Sequence, residues 1–474
     1  MSAAPPAIVW FRRDLRLTDN PALLAASERG HPIIALYILD ESPGPRPMGA
    51  ASRWWLDKSL RALDGELRSL GCPLTLRRGG AQQVLCDVMR ETGATALYWN
   101  RLYDAPSTSR DTRLKAGFKA RGIDCQSFNA ALLNEPWTIA NGAGAPYRVF
   151  TPYWRAARQM AAGAAPLGRP AELACVPVAS EALDDWALHP RKPDWSGGFA
   201  DWRPGEDGAR ARLEAFLDAS LGDYAEARDE PAQEGTSRIS PHLAFGEIGP
   251  RQVWAPTLAA SGRQGAGAAE AFLRELGWRE FNYHVLYHHP EITERSLKSA
   301  FDAFPWRRDR LGLRAWKLGH TGYPIVDAGM RQLWATGWMH NRVRMIVASF
   351  LVKDLLIDWR LGEAWFWDTL VDADIANNAA NWQWVAGSGA DAAPYFRVFN
   401  PTTQGARFDA DGRYVRRWVR ELASVSGARV HEPWRERGGE LAGSDLMTAE
   451  PYPEPIVDHA VARARALDAF QRLG

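Results

Sequence analysis

In "LRELGWREF", Glu275, Trp278 and Arg279 are spaced so that a helix brings a carboxyl, an indole and a guanidinium to one face. Such a trio can hydrogen-bond and wall in a heterocycle; it would serve equally as a salt bridge with packing. In "GWMHNRVRMIVASF", Asn341 and Met345 share a face with Arg342 and Arg344 alongside. In "EGTSRISPHLAFGEI", Thr236, Ser237 and Ser240 surround Arg238 just ahead of a helical segment. Hydroxyls, backbone N–H groups and one arginine make a diphosphate cradle, although a helix N-cap uses the same residues. "LVDADIANNAANWQW" adds Asp372, Asp374 and Asn378, whose short polar chains can grip a polyol or the edge of a heteroaromatic ring. The chain also carries 22 tryptophans, more than packing alone accounts for.

The elements that must position these groups fall into two regimes. Over residues 1–130, "AIVWF", "PIIALYI", "PLTLRR", "ALYWN" and "DCQSF" read as strands. They alternate with "PALLAASERG", "RWWLDKSLRALDGELRSLG", "AQQVLCDVMRETG" and "TSRDTRLKAGFKARG", which read as helices. Alternation of this kind implies an α/β domain with a doubly wound parallel sheet, whose ligands bind outside the carboxyl ends of the strands. That places "WFRRDLRLTDN", Tyr37 to Asp40 and "WNRLYD" around one crevice. No G-x-G-x-x-G follows the first strand, so a dinucleotide is not expected there. Residues 131–205, rich in Pro, Gly and Ala with little periodicity, read as a long interdomain linker. Residues 206–474 read as an all-α domain, with "ARARLEAFLDASLGDYAEARD", "AGAAEAFLRELGWREFNYHVLYHHP", "YPIVDAGMRQLWATG" and "HNRVRMIVASFLVKDLLIDW" as its helices.

Composition sets the outer bounds. A chain of 474 residues exceeds one ordinary core, since single cores stop growing near roughly 250–300 residues. No run is apolar enough to span a membrane and the N-terminus lacks signal-peptide order, so a cytoplasmic protein is expected. Cys72, Cys86, Cys125 and Cys175 stand far apart without a C-x-x-C, which reads as buried thiols rather than a metal site or a disulfide framework. A net charge of +1 argues against bulk affinity for polyanions, but local charge decides recognition, and Arg295 to Lys317 is strongly basic.

These segments, in this order and with "TGYPIVDAGMRQL" and "FNPTTQG" between and after them, resemble the DNA photolyase and cryptochrome family. The resemblance runs from "VWFRRDLRLTDN" to "YPEPIVDH" and is nearest to bacterial cyclobutane pyrimidine dimer photolyases, including the branch related to plant cryptochromes. It implies an α/β antenna domain of Rossmann type, an all-α FAD-binding domain and UV-damaged DNA as partner, with the protein acting as a monomer. The implied reaction is light-driven splitting of the dimer, by an electron passed from excited FADH⁻ to the flipped-out lesion and then returned.

Carried over residue by residue, the resemblance assigns Tyr224, Thr236, Ser237, Arg238, Ile239 and Ser240 to the phosphates and ribityl chain of FAD. Glu275, Trp278 and Arg279 line the cavity, Arg344 and Asp372 pair beside the isoalloxazine, Asp374 meets the ribityl or ring edge, and Asn378 meets flavin N5. Glu275 also bonds the damaged base, Trp278 and Trp384 form flat walls, and Asn341, Arg342 and Met345 complete the pocket. Arg342 and Arg397 reach backbone phosphates. Trp382, Trp359 and Trp306 match the family's electron relay.

Photolyases for (6-4) lesions place histidines where this chain has Asn341 and Met345, with His340 on another side of the helix. Plant cryptochromes, which are photoreceptors, carry Asp in place of Asn378. Both comparisons favour dimer repair. For the second chromophore the resemblance implies 5,10-methenyltetrahydrofolate, with deazaflavin or FMN as alternatives, near Trp10, Arg12, Arg53 and Arg101. Pro106 and Ser107 depart from the Asn-Glu pair used by some folate-binding members.

Overall fold

The computed structural model describes residues 4–161, 165–391, 396–436 and 452–473. Strands β1 (Ala7–Phe11), β2 (Ile33–Asp40), β3 (Thr75–Gly79), β4 (Ala96–Asn100) and β5 (Asp124–Phe128) form one parallel sheet in the order β3-β2-β1-β4-β5. Val9 of the central strand is in register with Ala35 on one side and Tyr98 on the other. All five residues of β1 are buried, which is why "AIVWF" reads as a continuous apolar run rather than an alternation.

Crossovers are made by α1 (Pro21–Glu28), α2 (Ala50–Ser69), α3 (Ala81–Thr92) and α4 (Ala105–Lys119). Asn20 caps α1 by accepting from the Leu23 N–H, and Asp104 caps α4 by accepting from Ser107. Ile8, Trp10, Ile34, Leu36, Leu85, Leu97 and Trp99 share one core cluster of this layer. The doubly wound reading is therefore correct, element by element.

The stretch read as a linker carries its own structure. Helix α5 (Phe150–Ala161) buries Phe150, Tyr153, Trp154, Ala157 and Ala161, a stripe at helical spacing that the surrounding Pro and Gly obscured. Further on, the chain lies along the sheet. Ile33 N–H donates to Ala174 O at 2.7 Å, Val176 N–H to Ile33 O at 3.0 Å, and Glu181 N–H to Leu76 O at 2.9 Å. This strap covers the edge that β3 would otherwise expose. It also brings Cys175 to Cys72, and the two form a disulfide with Cα atoms 5.1 Å apart. The expectation of separate thiols is corrected: spacing rules detect local pairs, and this pair is 103 residues apart. Cys86 and Cys125 are free.

The remaining helices are α6 (Glu206–Ala219), α7 (Tyr224–Ala227), α8 (Ser240–Phe245), α9 (Pro250–Gln264), α10 (Ala266–His288), α11 (Arg310–Leu318), α12 (Pro324–Thr336), α13 (Asn341–Ser349), α14 (Trp359–Thr369), α15 (Ile375–Ala386), α16 (Pro401–Phe408), α17 (Arg413–Trp418) and α18 (His459–Gln471). The single helix expected over "HNRVRMIVASFLVKDLLIDW" ends at Ser349, passes into a π-turn over Phe350–Asp354, and breaks at Leu356, which adopts a left-handed φ of 52°. Two compact units result. One comprises Met1–Trp195, Ala200–Gly222 and Ser237–Pro290; the other comprises Ser196–Phe199, Asp223–Thr236 and Glu291–Gly474. The second unit is cored by Trp316, Val347, Phe350, Leu351, Trp359, Phe366 and Trp382. Among the described residues no helix is long and apolar enough to cross a membrane.

Candidate functional site

In the second unit, α13 and the loop before α15 bring two predicted residues together. Arg344 donates from Nη1 to Asp372 Oδ1 at 3.1 Å and from Nη2 to Oδ2 at 2.8 Å, a bidentate pair, while its Nε donates to the Met339 carbonyl at 2.7 Å. Asp372 is buried, so the guanidinium is its compensating charge. Asp374 is the N-cap of α15, its Oδ1 accepting from the Asn377 backbone at 2.8 Å and from Asn377 Nδ2 at 2.7 Å.

One turn into α15, Asn378 is buried and donates from Nδ2 to Glu363 O at 3.0 Å and to Glu363 Oε1 at 2.7 Å. A carbonyl and a carboxylate can only accept, so the amide orientation is fixed and Oδ1 is left as the acceptor. Sequence reasoning missed Glu363. It sits on α14, fifteen residues before Asn378, and no helical spacing connects residues on different helices.

The proposed relay runs through the same unit. Trp382 and Trp359 are buried and Trp306 is half-buried. Phe366 stands edge-on to Trp382 at 5.0 Å, and a Cβ at Gly362 would run into the Trp382 indole, so the glycine is what admits that ring. Trp359 Nε1 is buried with no acceptor among the described residues. Trp384, three residues after "NNAAN", is half-buried against this core.

Asn341 is exposed at the start of α13, and Met345, one turn on, is half-buried. His340 is buried and caps the helix, its Nδ1 accepting from the Arg342 N–H at 3.2 Å. Arg342 pairs with Asp229, Nη2 to Oδ2 at 2.7 Å, and its guanidinium lies 4.4 Å from the Phe408 ring centroid. Arg397 is exposed; its carbonyl accepts from Lys353 Nζ, and burial pushes that lysine down to about 7 against the attraction of Asp354. Tyr224 is buried at the start of α7, with the Arg228 guanidinium 5.4 Å from its ring, and Thr236 is half-buried.

In the first unit, Ser237 and Ile239 are buried and Ser240 begins α8. Arg238 between them holds a φ of 49°, a left-handed backbone that costs a non-glycine residue about 1 kcal/mol or more and concentrates at ligand clamps. On α10, Glu275 and Trp278 are half-buried, and Trp278 stacks on Phe150 of α5 with ring centroids 3.8 Å apart and planes 7° from parallel. Arg279 turns away to the loop after β5, donating to Ala131 O at 2.7 Å. Beside it, Glu280 accepts from the backbone of Leu133 at 2.9 Å and of Asn134 at 3.3 Å. Burial pushes its carboxyl up to about 7, with Arg279 and those N–H groups pulling the other way.

At the carboxyl ends of β1 and β4, the point where strand order reverses, the crevice is filled by the chain's own side chains. Arg12 donates to Asp111 at 2.6 Å and to the Asn100 carbonyl, and Asn100 Nδ2 donates to Asp14 at 2.6 Å. Trp10 is buried, with the Arg12 and Arg110 guanidiniums 4.6 and 5.0 Å from its ring centroid. Arg101 is held by Glu135 and Ser127. Arg53 donates to the carbonyls of Trp186 and Ala187, both at 3.3 Å. Trp10, Arg12 and Arg101 are thus engaged within the chain.

A flavin edge alternates hydrogen-bond donors and acceptors. The bidentate Arg344–Asp372 pair and an amide held through its nitrogen fit that edge.

Comparison with known proteins agrees with this chemistry. The FAD binding domain of DNA photolyase matches residues 272–472, and the DNA photolyase domain matches residues 7–172. A deoxyribodipyrimidine photo-lyase of Agrobacterium fabrum is 51% identical over 98% of this chain and 97% of its own length. Cryptochrome-1 of Arabidopsis thaliana is 39% identical over 98% of this chain and 70% of its own length. A crystal structure of a bacterial class III photolyase from Agrobacterium tumefaciens superposes with a TM-score of 0.96 at 51% identity, covering 100% of this chain and 98% of that one. With an FAD-binding match over the segments that carry Arg344, Asp372 and Asn378, and with relatives aligned along nearly its whole length, the chain belongs to the DNA photolyase and cryptochrome family.

Proposed function

We propose that this protein is a deoxyribodipyrimidine photo-lyase that repairs cyclobutane pyrimidine dimers in DNA with blue light. The observation that carries the reading is the amide of Asn378, whose nitrogen is held by Glu363 so that Oδ1 is left as a pure acceptor. Bound FAD, in its reduced form, supplies light absorption and an electron that returns once the cyclobutane bonds have broken. The protein's own residues do the rest. Asn378 Oδ1 would accept the N5–H of the reduced ring and offer it no acidic proton. Arg344, fixed by Asp372, would hold a positive charge beside the ring and favour its anionic form. Tyr224 and the segment Thr236 to Ser240 hold the ribityl and phosphates, and Asp374 orients the ribityl chain.

Glu275 hydrogen-bonds the damaged base, and Trp278 and Trp384 each offer a flat apolar surface to an extruded base. Asn341 and Met345 contact the lesion, and Arg342 and Arg397 contact phosphates and set the salt dependence of binding. Trp382, Trp359 and Trp306 would carry electrons from a reductant at the surface toward an oxidised, photoexcited cofactor. A folate antenna, 5,10-methenyltetrahydrofolate, with deazaflavin or FMN as alternatives, is proposed from the family resemblance.

The similarity to plant cryptochromes supports a second reading, a blue-light photoreceptor. An absorption spectrum of the purified protein, followed by blue-light treatment of oligonucleotides bearing a defined cyclobutane dimer or a (6-4) lesion, separates these. Repair of the cyclobutane dimer is expected. Repair of the (6-4) lesion alone, or of neither by a flavin-loaded protein, overturns the proposal.

A further inference from the structure

Phe150 opens α5 and is 1% exposed, yet its ring meets the half-buried Trp278 face to face at 3.8 Å. Isolated aromatic pairs prefer offset or edge-on arrangements, so this overlap is imposed by the backbones that carry the two rings. The cause lies one residue before Trp278. A Cβ at Gly277 would fall 2.5 Å from Trp154 Cε3 and 2.6 Å from its Cζ3, so the glycine lets α10 settle directly on the Trp154 indole. Trp154, one turn along α5, runs nearly parallel to Phe150 at 6.3 Å and 11°. Phe281, one turn beyond Trp278, stands edge-on to both stacked rings, at 5.9 Å from Phe150 and 5.8 Å from Trp278. The Arg274 guanidinium lies 5.5 Å from the Phe150 centroid, on the same face of α10 as Trp278.

The consequence is that Trp278 has one face covered and its ring plane fixed before any ligand arrives. We propose that Phe150 is a positioning residue for lesion recognition: it seals one face of Trp278, so that an extruded pyrimidine dimer can stack only on the opposite face and in one orientation. Phe150 itself touches no base. It acts by removing the rotamer freedom that Trp278 would otherwise lose on binding, and this pre-organisation appears as affinity for the extruded dimer rather than for undamaged DNA. The inference rests on the assignment of Trp278 as a wall for the flipped lesion.

The test measures binding of the full-length, flavin-loaded protein to matched oligonucleotides with and without a cyclobutane dimer. Phe150→Leu keeps apolar volume and removes the flat face; Phe150→Tyr keeps the face. Phe150→Leu and Phe150→Ala should weaken dimer binding about tenfold, the scale of one lost aromatic stack, with affinity for undamaged DNA and flavin content unchanged. Phe150→Tyr should stay within about twofold of the parent, since the stacked face is retained. Should Phe150→Ala fail to fold, the Leu and Tyr variants decide. Parent-like dimer affinity in Phe150→Leu, or equal loss in Phe150→Tyr and Phe150→Leu, overturns the inference alone. An unsubstituted protein that does not prefer the dimer overturns the proposed function, and the inference with it.

Discussion

Asn378 gives its amide nitrogen to Glu363 twice, to the carbonyl at 3.0 Å and to Oε1 at 2.7 Å, so a residue of α14 sets the chemistry presented by α15. If Oδ1 holds the reduced flavin, Glu363→Leu, which leaves only the backbone carbonyl to hold the amide, should loosen its orientation and speed air oxidation of the reduced cofactor by up to about tenfold, the worth of one hydrogen bond near 1.4 kcal/mol. Glu363→Gln keeps an acceptor at the same place and should resemble the parent. Stopped-flow absorbance after anaerobic reduction reads both. An unchanged rate in Glu363→Leu would remove Glu363 from the mechanism.

The Arg344–Asp372 pair should behave as a buried ion pair. Asp372 has a side chain only 3% exposed against 24% for Arg344, so deleting the cation strands a desolvated carboxylate. Arg344→Ala should cost about 3 kcal/mol, near the low end for such pairs because the guanidinium retains some solvent. Urea titration monitored by circular dichroism gives the value. The double substitution Arg344→Ala with Asp372→Ala should be less destabilised than the sum of the two singles, because neither charge is then left alone.

For the relay, the contrast between a fully buried Trp359 and a half-buried Trp306 sets the direction. Trp306→Phe should abolish light-driven reduction of the oxidised flavin while protein reduced chemically beforehand still repairs DNA. Loss of both activities would mean that Trp306 supports the fold or the flavin instead.

Much of this arrangement was legible in the sequence, and the reasons differ by element. The inner strands announce themselves because β1, β4 and most of β2 are buried on both faces, while β3 and β5 at the edges are partly exposed; β1 to β5 fall where the sequence places strands. The pairing of Arg344 with Asp372 was legible because motif order over a whole chain is far more specific than any one spacing. Glu363, Asp229 and Phe150 were not found, since each acts across a contact between separate segments that local periodicity does not encode. The same holds for the disulfide of Cys72 and Cys175. Helix α5 was hidden because its apolar stripe is set within Pro- and Gly-rich sequence.

Glu280 predicts a pH dependence of stability. Its carboxyl is raised from 4.5 to about 7 in the folded protein, so between those values the native state retains a proton that the unfolded chain releases. Protons bound in the unfolded state are then fewer, and stability falls as pH rises from about 4.5 to about 7. Glu280→Gln keeps an oxygen to accept from Leu133 and Asn134 but does not ionise. Denaturant unfolding at a series of pH values should give a flatter profile for this variant across that window. A slope equal to the parent's would place the pH dependence elsewhere.

Arg342 is the sharpest case for DNA binding, because its ion pair makes two substitutions act in opposite directions. Its guanidinium is held by Asp229 at 2.7 Å, so a phosphate must compete with a carboxylate that is itself about a third exposed, at 36%. Arg342→Ala removes one phosphate contact and should lower the slope of log affinity against log salt by about 0.9 for duplex DNA. Asp229→Asn removes the competitor, leaves the cation and should tighten binding at low salt without reducing that slope. Fluorescence anisotropy across a salt series reads both variants with one labelled duplex. If Arg342 serves only to pin Asp229 to α13, both substitutions will lower stability and neither will move the slope, and the phosphate assignment for this residue falls.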